Sequence, residues 1–304
     1  MAMMDDVFYR LSDRLILVSP QSGGKFPFCN GFIFKGDNET ILVDAGLDDA
    51  LMRDTARRFR IDTLVISHSH PDHIHNWHML SDRRLLVPAQ MPDVVMQDLV
   101  SLGERYTGSR ERGKHWADTI GRMLDIHPLR EPDGRFGDGH VFDLGGVRVE
   151  AIHAPGHLDD HYCFFDLDSG ALIVTDIDFS SFGPWYGNPE CDITLFKQSI
   201  GKMMRLPYSR VCSSHSLPHE GDATHLFQKF LDGFKRHENR ILDCLGQEGK
   251  TLEEIVAASP FYRNRFPDKV IQNAFEEQMA AKNLAVLMDE GRIARHGDRF
   301  VPVK

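Results

Sequence analysis

His68-Ser69-His70-Pro71-Asp72-His73 sets three imidazoles and a carboxylate within six residues. It follows residues 63–66, a compact β-branched and apolar run that stops at Ser67. Such a run reads as a short buried strand. The cluster therefore sits at a strand's carboxyl end, where layered α/β folds place functional side chains. In an extended turn His68 and His70 project to one side, so both can serve one metal ion. Pro71 redirects the chain, which lets Asp72 and His73 reach a neighbouring ion. A mixture of imidazole and carboxylate suits borderline cations such as Zn²⁺. A surface turn that is merely rich in histidine is the plain alternative, and His75 and His78 lend it some support. Four ligand-type residues at a buried strand's end outweigh it, because so polar a cluster is costly there unless something coordinates it.

Working outward, apolar runs and turn chemistry alternate. Residues 15–18, 31–34 and 41–43 read as strands, with Gly36-Asp37-Asn38 a turn between the last two. Residues 47–60 read as helix. Residues 89–124 lack strand alternation and are expected to form a helical insertion, the kind of segment that makes a lid or pocket wall. A second strand-rich block covers 140–142, 147–152, 162–165 and 172–175, punctuated by Asp138-Gly139, Gly145-Gly146 and Asp168-Ser169-Gly170. Two strand-rich halves predict an α/β fold, an αββα sandwich of two mixed β-sheets flanked by helices. A catalytic domain is expected over 1–222 and a helical, winged-helix-like domain over 223–304. In the latter, Thr251-Leu252-Glu253-Glu254 is a capping box, 270–282 is a longer helix, and 291–301 is a hairpin around Gly297-Asp298. This unit reads as a packing or dimerisation module or as a DNA reader. Acidic Glu276, Glu277, Asp289 and Glu290 interrupt any basic face and favour the first.

With 304 residues, the chain has room for one large catalytic domain and a smaller appendage. Its net charge of −10 repels phosphate backbones and disfavours a dedicated nucleic-acid binder. Cys29, Cys163, Cys191, Cys212 and Cys244 form no CxxC pair, which fits reduced thiols and a cytoplasmic protein. Residues 1–10 carry Asp5, Asp6 and Arg10 without a long apolar run, so neither a signal peptide nor an anchor is expected. No stretch is long and apolar enough for a membrane span.

The His-x-His-x-Asp-His pattern resembles the metallo-β-lactamase superfamily, in its glyoxalase II and lactonase-like branch, and further pieces follow in order. Ile41-Leu42-Val43-Asp44-Ala45-Gly46 is similar to the early strand ending in aspartate and glycine. Ala154-Pro155-Gly156-His157 resembles the Pro-Gly-His turn, with His161 as its variable second histidine. Val174-Thr175-Asp176 resembles the strand end that carries a bridging aspartate, with Thr175 where glycine is usual. Ser213-Ser214-His215 resembles the last ligand turn, with His219 as a rival four residues on. The resemblance covers roughly residues 8–220. It implies one metal held by His68, His70 and His157, a second by Asp72, His73 and His215, and Asp176 between them. On the residues alone, His157 also reads as a turn histidine and Asp176 as a cap. Asp44 is expected to orient a ligand or its loop, and His161 to stand behind the ligands. His75, His78 and His153 are expected to be structural or superficial.

The same resemblance implies two divalent ions, Zn²⁺ first and Fe or Mn as alternatives. A metal-bridging hydroxide would be the nucleophile, since a metal lowers the pKa of water from about 15.7 to near 7. Asp72 would pass a proton to the leaving group, and no serine or cysteine nucleophile is needed. The expected reaction is hydrolysis of a small ester, thioester or lactone. Residues 183–188, with Trp185 and Tyr186, and Lys25-Phe26-Pro27-Phe28 read either as pocket lining or as aromatic loops packed on the core. Other readings are iron-dependent redox chemistry of the persulfide dioxygenase or flavodiiron kind, a phosphodiesterase or nuclease, and a non-catalytic binder. Against the flavodiiron reading, His70 stands where glutamate is usual and no flavodoxin-like half follows. The expected partner is a small-molecule substrate, with a homodimer the only protein assembly anticipated.

Overall fold

The computed structural model describes residues 2–5 and 7–303, so the reading of residues 1–10 falls partly on Met1 and Asp6, outside the described residues. The first sheet has eight strands in sequence order: β1 (Ala2–Asp5), β2 (Phe8–Arg10), β3 (Leu15–Val18), β4 (Gly31–Lys35), β5 (Thr40–Val43), β6 (Thr63–Val65), β7 (Arg84–Pro88) and β8 (Gly134–Phe136). Strands β5 to β8 run parallel and the earlier ones antiparallel. The second sheet has six: β9 (Val141–Asp143), β10 (Arg148–His153), β11 (Tyr162–Asp166), β12 (Ala171–Ile173), β13 (Arg210–Ser213) and β14 (Ser216–Glu220), with only the β12–β13 pair parallel. Both sheets are mixed, as the alternating runs predict.

Period-two alternation builds the layers. Phe32 and Phe34 point into the core between the sheets, where they meet Val149 and Phe164. Ile33, one residue out of phase, packs on the helical side with Met52 and Leu64. That side is covered by α1 (Asp49–Arg58), the one-turn α2 (Pro71–Ile74), and α3 (Leu99–Thr107) with α4 (Arg110–Trp116) from the expected insertion. Asp48 starts α1 by accepting from the Leu51 amide, and Gly108 ends α3 in a left-handed turn. The second sheet's outer face is covered by α5 (Ile193–Met204) and by α6 (Thr224–Leu245), which share one apolar cluster.

The chain then forms α7 (Leu252–Ala258), opened by the expected Thr251–Glu254 capping box, and α8 (Lys269–Asp289), which continues well past the end of its sequence reading at residue 282. A small sheet joins β15 (Lys250–Thr251), β17 (Arg299–Pro302) and β16 (Ile293–His296) in that order. Met279, Ala280 and Leu284 of α8 pack into the same cluster as the second sheet, and Ile271 into the first sheet's cluster. Helix α8 therefore seals the join between the two halves of the sandwich. Strands β1, β2, β7, β8, β14 and β15 and helix α5 have no counterpart in the sequence reading. Buried parallel strands such as β7 lack the polar alternation that flags a half-exposed one. Among the described residues, no helix is long and apolar enough to cross a membrane.

Candidate metal centre

The ligand-type side chains leave strand ends, or the one-turn α2 that follows β6, on one edge of the sandwich. His68 follows β6, His157 follows β10, Asp176 follows β12 and His215 follows β13. Two close approaches hold these loops in place. A Cβ on Gly46 would lie 1.6 Å from the Asp72 carbonyl oxygen, and one on Gly156 would lie 2.1 Å from the Phe196 nitrogen. Thr175 adopts φ +43°, a conformation that favours glycine, which explains the residue type usual there. Its Oγ1 lies 2.7 Å from His161 Nε2 and 2.9 Å from Tyr162 O, contacts that hold the strained turn carrying Asp176.

Of three convergent donor groups among the described residues, one is Cys29, Asp44 and His73, and the other two meet at Asp176. His68 Nε2, His70 Nδ1, His157 Nε2 and an Asp176 oxygen lie within 4.8 Å of one another, and so do donors from Asp72, His73 and His215. In the first group, His70 Nδ1 is 3.1 Å from His68 Nε2 and 2.9 Å from His157 Nε2, and Asp176 Oδ2 is 3.1 Å from His157 Nε2. In the second, Asp176 Oδ1 is 2.9 Å from His73 Nε2 and 3.3 Å from His215 Nε2, and Asp72 Oδ2 is 3.5 Å from His215 Nε2. Asp176 thus gives one oxygen to each group.

The far ring nitrogens are fixed from behind. His73 Nδ1 faces Asp44 Oδ2 at 2.8 Å, and His157 Nδ1 donates to the Trp185 carbonyl at 3.0 Å. His215 Nδ1 donates to the Gly24 carbonyl, and His68 Nδ1 meets Ser67 Oγ at 3.0 Å. Asp44, itself left-handed at φ +64°, also accepts from the Ser67 amide at 2.7 Å. Carboxylates and carbonyls behind imidazoles are the arrangement by which proteins aim metal ligands.

These residues fit a metal pair. His73 Nε2 and Asp176 Oδ1 are buried without an aligned hydrogen-bond partner even though they touch, so their lone pairs address a common point rather than each other. Burial drives His68 and His70 well below the usual imidazole range, keeping them neutral as ligation requires. Burial works against protonated His215, but Asp176 and Asp72 outweigh it and lift that imidazole to about 9. The two carboxylates that lift His215 are the negative charges that would draw a divalent cation.

Other expected residues fall into place or away from it. His161 spends Nδ1 on the Ala154 carbonyl at 2.7 Å and Nε2 on Thr175, so it braces the Asp176 turn from behind. His219 lies on β14, where Nε2 faces the Asp222 carbonyl, and does not join the site. Trp185 lines the cavity described below. Tyr186, read from sequence as a pocket candidate, does not: it is fully buried between α6 and α8, bonded to His237 and Asn283. Consecutive residues of an extended loop face opposite ways, which parts it from Trp185. Glu276 also departs from its reading as a surface acid. It is fully buried and accepts from Ser259 Oγ, Phe261 N and Tyr262 N.

A cavity of about 560 Å³ opens on His70, Asp72, His157, Asp176 and His215. Lys25 and Phe26 stand at its exposed rim. Its walls come from Trp116 and Ile120 of the insertion, from Trp185, and from Tyr262, Phe266, Ile271 and Phe275 of the C-terminal part. The sequence reading missed that C-terminal wall; only the four-residue step from Ile271 to Phe275 hinted at a shared helix face. It also missed Arg105 and Tyr106 on α3, which hydrogen-bond Ser69 Oγ and Ser69 O between the first two histidines. Arg105 is anchored in turn by Glu190, 2.6 Å from its Nη2. No motif marks those two residues.

The fold is a two-sheet α/β sandwich with a cluster of metal-ligating residue types at one edge, and comparison with known proteins places that fold. Residues 24–215 match the family described as the metallo-beta-lactamase superfamily, and the chain belongs to that superfamily. A metallo-beta-lactamase family protein of Thermus thermophilus superposes with TM-score 0.73 at 18% identity, covering 97% of this chain and all of that one. A beta-lactamase domain protein of Burkholderia ambifaria gives 0.67 at 17% identity, covering 97% and 93%. In sequence, an atrochrysone carboxyl ACP thioesterase of Cryptosporiopsis sp. is 27% identical over 55% of this chain and 44% of its own length. An uncharacterized Aquifex aeolicus protein is 24% identical over 58% and 77%. The chain spans a little under half the length of most of the thioesterases it matches, and 68% of the one from Passalora fulva.

Proposed function

We propose that this chain is a dinuclear metal-dependent hydrolase of a small acyl substrate, with a thioester foremost and an ester or lactone as the other forms. The division of Asp176 between two donor groups, at the foot of a largely apolar cavity, carries the reading. The thioesterase name borne by several sequence relatives supports the order of substrates. Bound divalent ions would supply Lewis acidity and lower the pKa of a water from about 15.7 to near 7. The chain's own residues do the rest. His68, His70 and His157 with Asp176 would hold one ion, and Asp72, His73 and His215 with Asp176 the other. Asp72 faces the cavity, and burial raises its carboxyl above the ordinary range, opposed by His73 and His215. It is placed to hold a proton for the departing thiol or alcohol. Cavity walls exclude bulk water and set the acyl carbon against the site.

The test joins metal analysis to a panel of esters, thioesters and lactones on wild type and Asp72→Ala. Two zinc ions per chain, thioester turnover and a fall of about 10²–10⁴ in kcat/KM for the variant are expected. Tightly bound iron with oxygen consumption would replace this reading with redox chemistry. Faster turnover of bis-p-nitrophenyl phosphate would replace it with phosphodiester cleavage, and an unimpaired variant removes Asp72 from the proton step.

A further inference from the structure

We infer that the C-terminal part of the chain is the selectivity wall of the active site, and that the acyl half of the substrate is a large, uncharged apolar group packed against it. The inference rests on the acyl-hydrolase reading above and names its substrate class.

Three observations carry it. First, the wall is built for apolar volume. Ile271 and Phe275 lie one helical turn apart on α8 and form one continuous apolar lining with Trp116, Ile120 and Phe266. About 560 Å³ is in the range of sites that enclose a whole drug-sized molecule, so an acetyl group would leave most of it unfilled. Apart from the ligand-type residues, Lys25 and Asp178 are the only charged groups among the described residues lining it. A carboxylate or ammonium on the acyl group would find no partner along that wall.

Second, the wall begins at the ligands. The Trp185 ring lies 5.3 Å from the His70 ring and 5.2 Å from the Phe275 ring, while its backbone carbonyl holds His157. An acyl carbon at the metal-facing end therefore has Trp185 and then Phe275 as its next neighbours. Third, the wall is held rigid by polar groups kept out of the cavity. Buried Glu276 binds the amides of Phe261 and Tyr262, and Tyr262 Oη accepts from Trp185 Nε1 at 2.5 Å. Arg112–Glu277 at 2.6 Å and His115–Asp268 at 2.7 Å pin α8 to α4. A preformed wall of this kind selects by fit rather than by adjusting to each substrate.

The experiment compares acetyl, butyryl, octanoyl and benzoyl thioesters of N-acetylcysteamine on the metal-loaded protein. It adds the matching ketone analogues, which resist hydrolysis, as binding probes read by tryptophan fluorescence, because Trp116 and Trp185 line the cavity. Expected are kcat/KM and affinity that both rise about two- to fourfold per methylene until the wall is covered. Ile120→Trp, which fills the space, and Phe275→Ala, which removes a wall, should each cut the octanoyl-to-acetyl ratio at least tenfold in both readouts. Thermal unfolding and metal content identify any variant that has lost its fold, and the wild-type series stands without the variants. Turnover and binding that ignore acyl length overturn the inference while leaving the hydrolase reading intact. So does sensitivity to the thiol portion alone, which would place the leaving group against the wall. Length-dependent binding with no turnover of any acyl compound would instead sink the hydrolase reading and keep the wall.

Discussion

The loops that bear the ligand-type side chains are fixed by backbone, whereas the wall across the cavity is fixed by side chains. At Gly46 and Gly156 the chain passes so close to the Asp72 carbonyl and the Phe196 amide that no Cβ fits. The second region depends on contacts such as the Trp185–Tyr262 hydrogen bond and the Trp185–Phe275 ring pair. Crowded backbone has nowhere to move, but apolar side chains can be exchanged for others of similar volume at modest cost. The difference implies a site whose reaction is rigidly specified and whose substrate choice is open to change by substitution.

The sharpest way to break that contrast is Gly46→Ala. The added methyl would sit 1.6 Å from Asp72 O and 2.5 Å from Cys29 Sγ, so the Asp72–His73 turn must shift by an ångström or more. A misplacement of about 1 Å at reacting groups costs about 10²-fold in rate. On the proposed dinuclear reading, metal content and kcat/KM of the variant should both fall, and the Asp72, His73 and His215 group should be the first to lose occupancy. Wild-type metal content together with wild-type turnover would show that these loops tolerate substitution as readily as the wall.

The same contrast explains what could be read from sequence. Donors that converge within a few ångströms must leave the same or neighbouring turns, so His68, His70, Asp72 and His73 fall within six residues and the remaining turns follow in order. The strands were legible for a similar reason, since Phe32, Ile33 and Phe34 must alternate between two cores. The wall needs only apolar volume. Trp116, Tyr262 and Phe275 are far apart in sequence, and each reads as ordinary core until the fold brings them together. Glu276 looked like a surface acid because its partners are backbone amides at Phe261 and Tyr262, which leave no trace in side-chain pattern.

A second test concerns the seam on which the wall rests. His237 Nε2 donates to the Phe182 carbonyl and its Nδ1 accepts from Tyr186 Oη, each at 3.0 Å, while Asn283 of α8 donates to the same hydroxyl at 2.9 Å. Burial pushes His237 down from 6.5 to about 4. The folded state therefore binds the proton less readily than the unfolded chain, and protonation favours unfolding. Stability is complete above about pH 6.5 and is lost progressively towards pH 4, by about 3 kcal/mol at about 1.4 kcal/mol per pH unit. Urea unfolding at pH 7, 5.5 and 4.5 measures this, and His237→Gln should flatten the slope relative to wild type. Equal slopes in the two proteins would remove His237 as the acid-sensitive element of the seam.

The smallest effect is expected at Tyr262→Phe. Trp185 Nε1 loses its acceptor, a change worth about 1 kcal/mol for a neutral hydrogen bond. The indole borders the cavity, so water can take the place of the hydroxyl. His157 is held by the Trp185 backbone carbonyl rather than by the indole, which shields the ligand loop from the change. Metal content should therefore match wild type while KM for a long-chain thioester rises about fivefold, the equivalent of that lost bond. A fall in bound metal instead would mean that the side-chain network reaches through Trp185 to His157, and that the two regions are one mechanical unit.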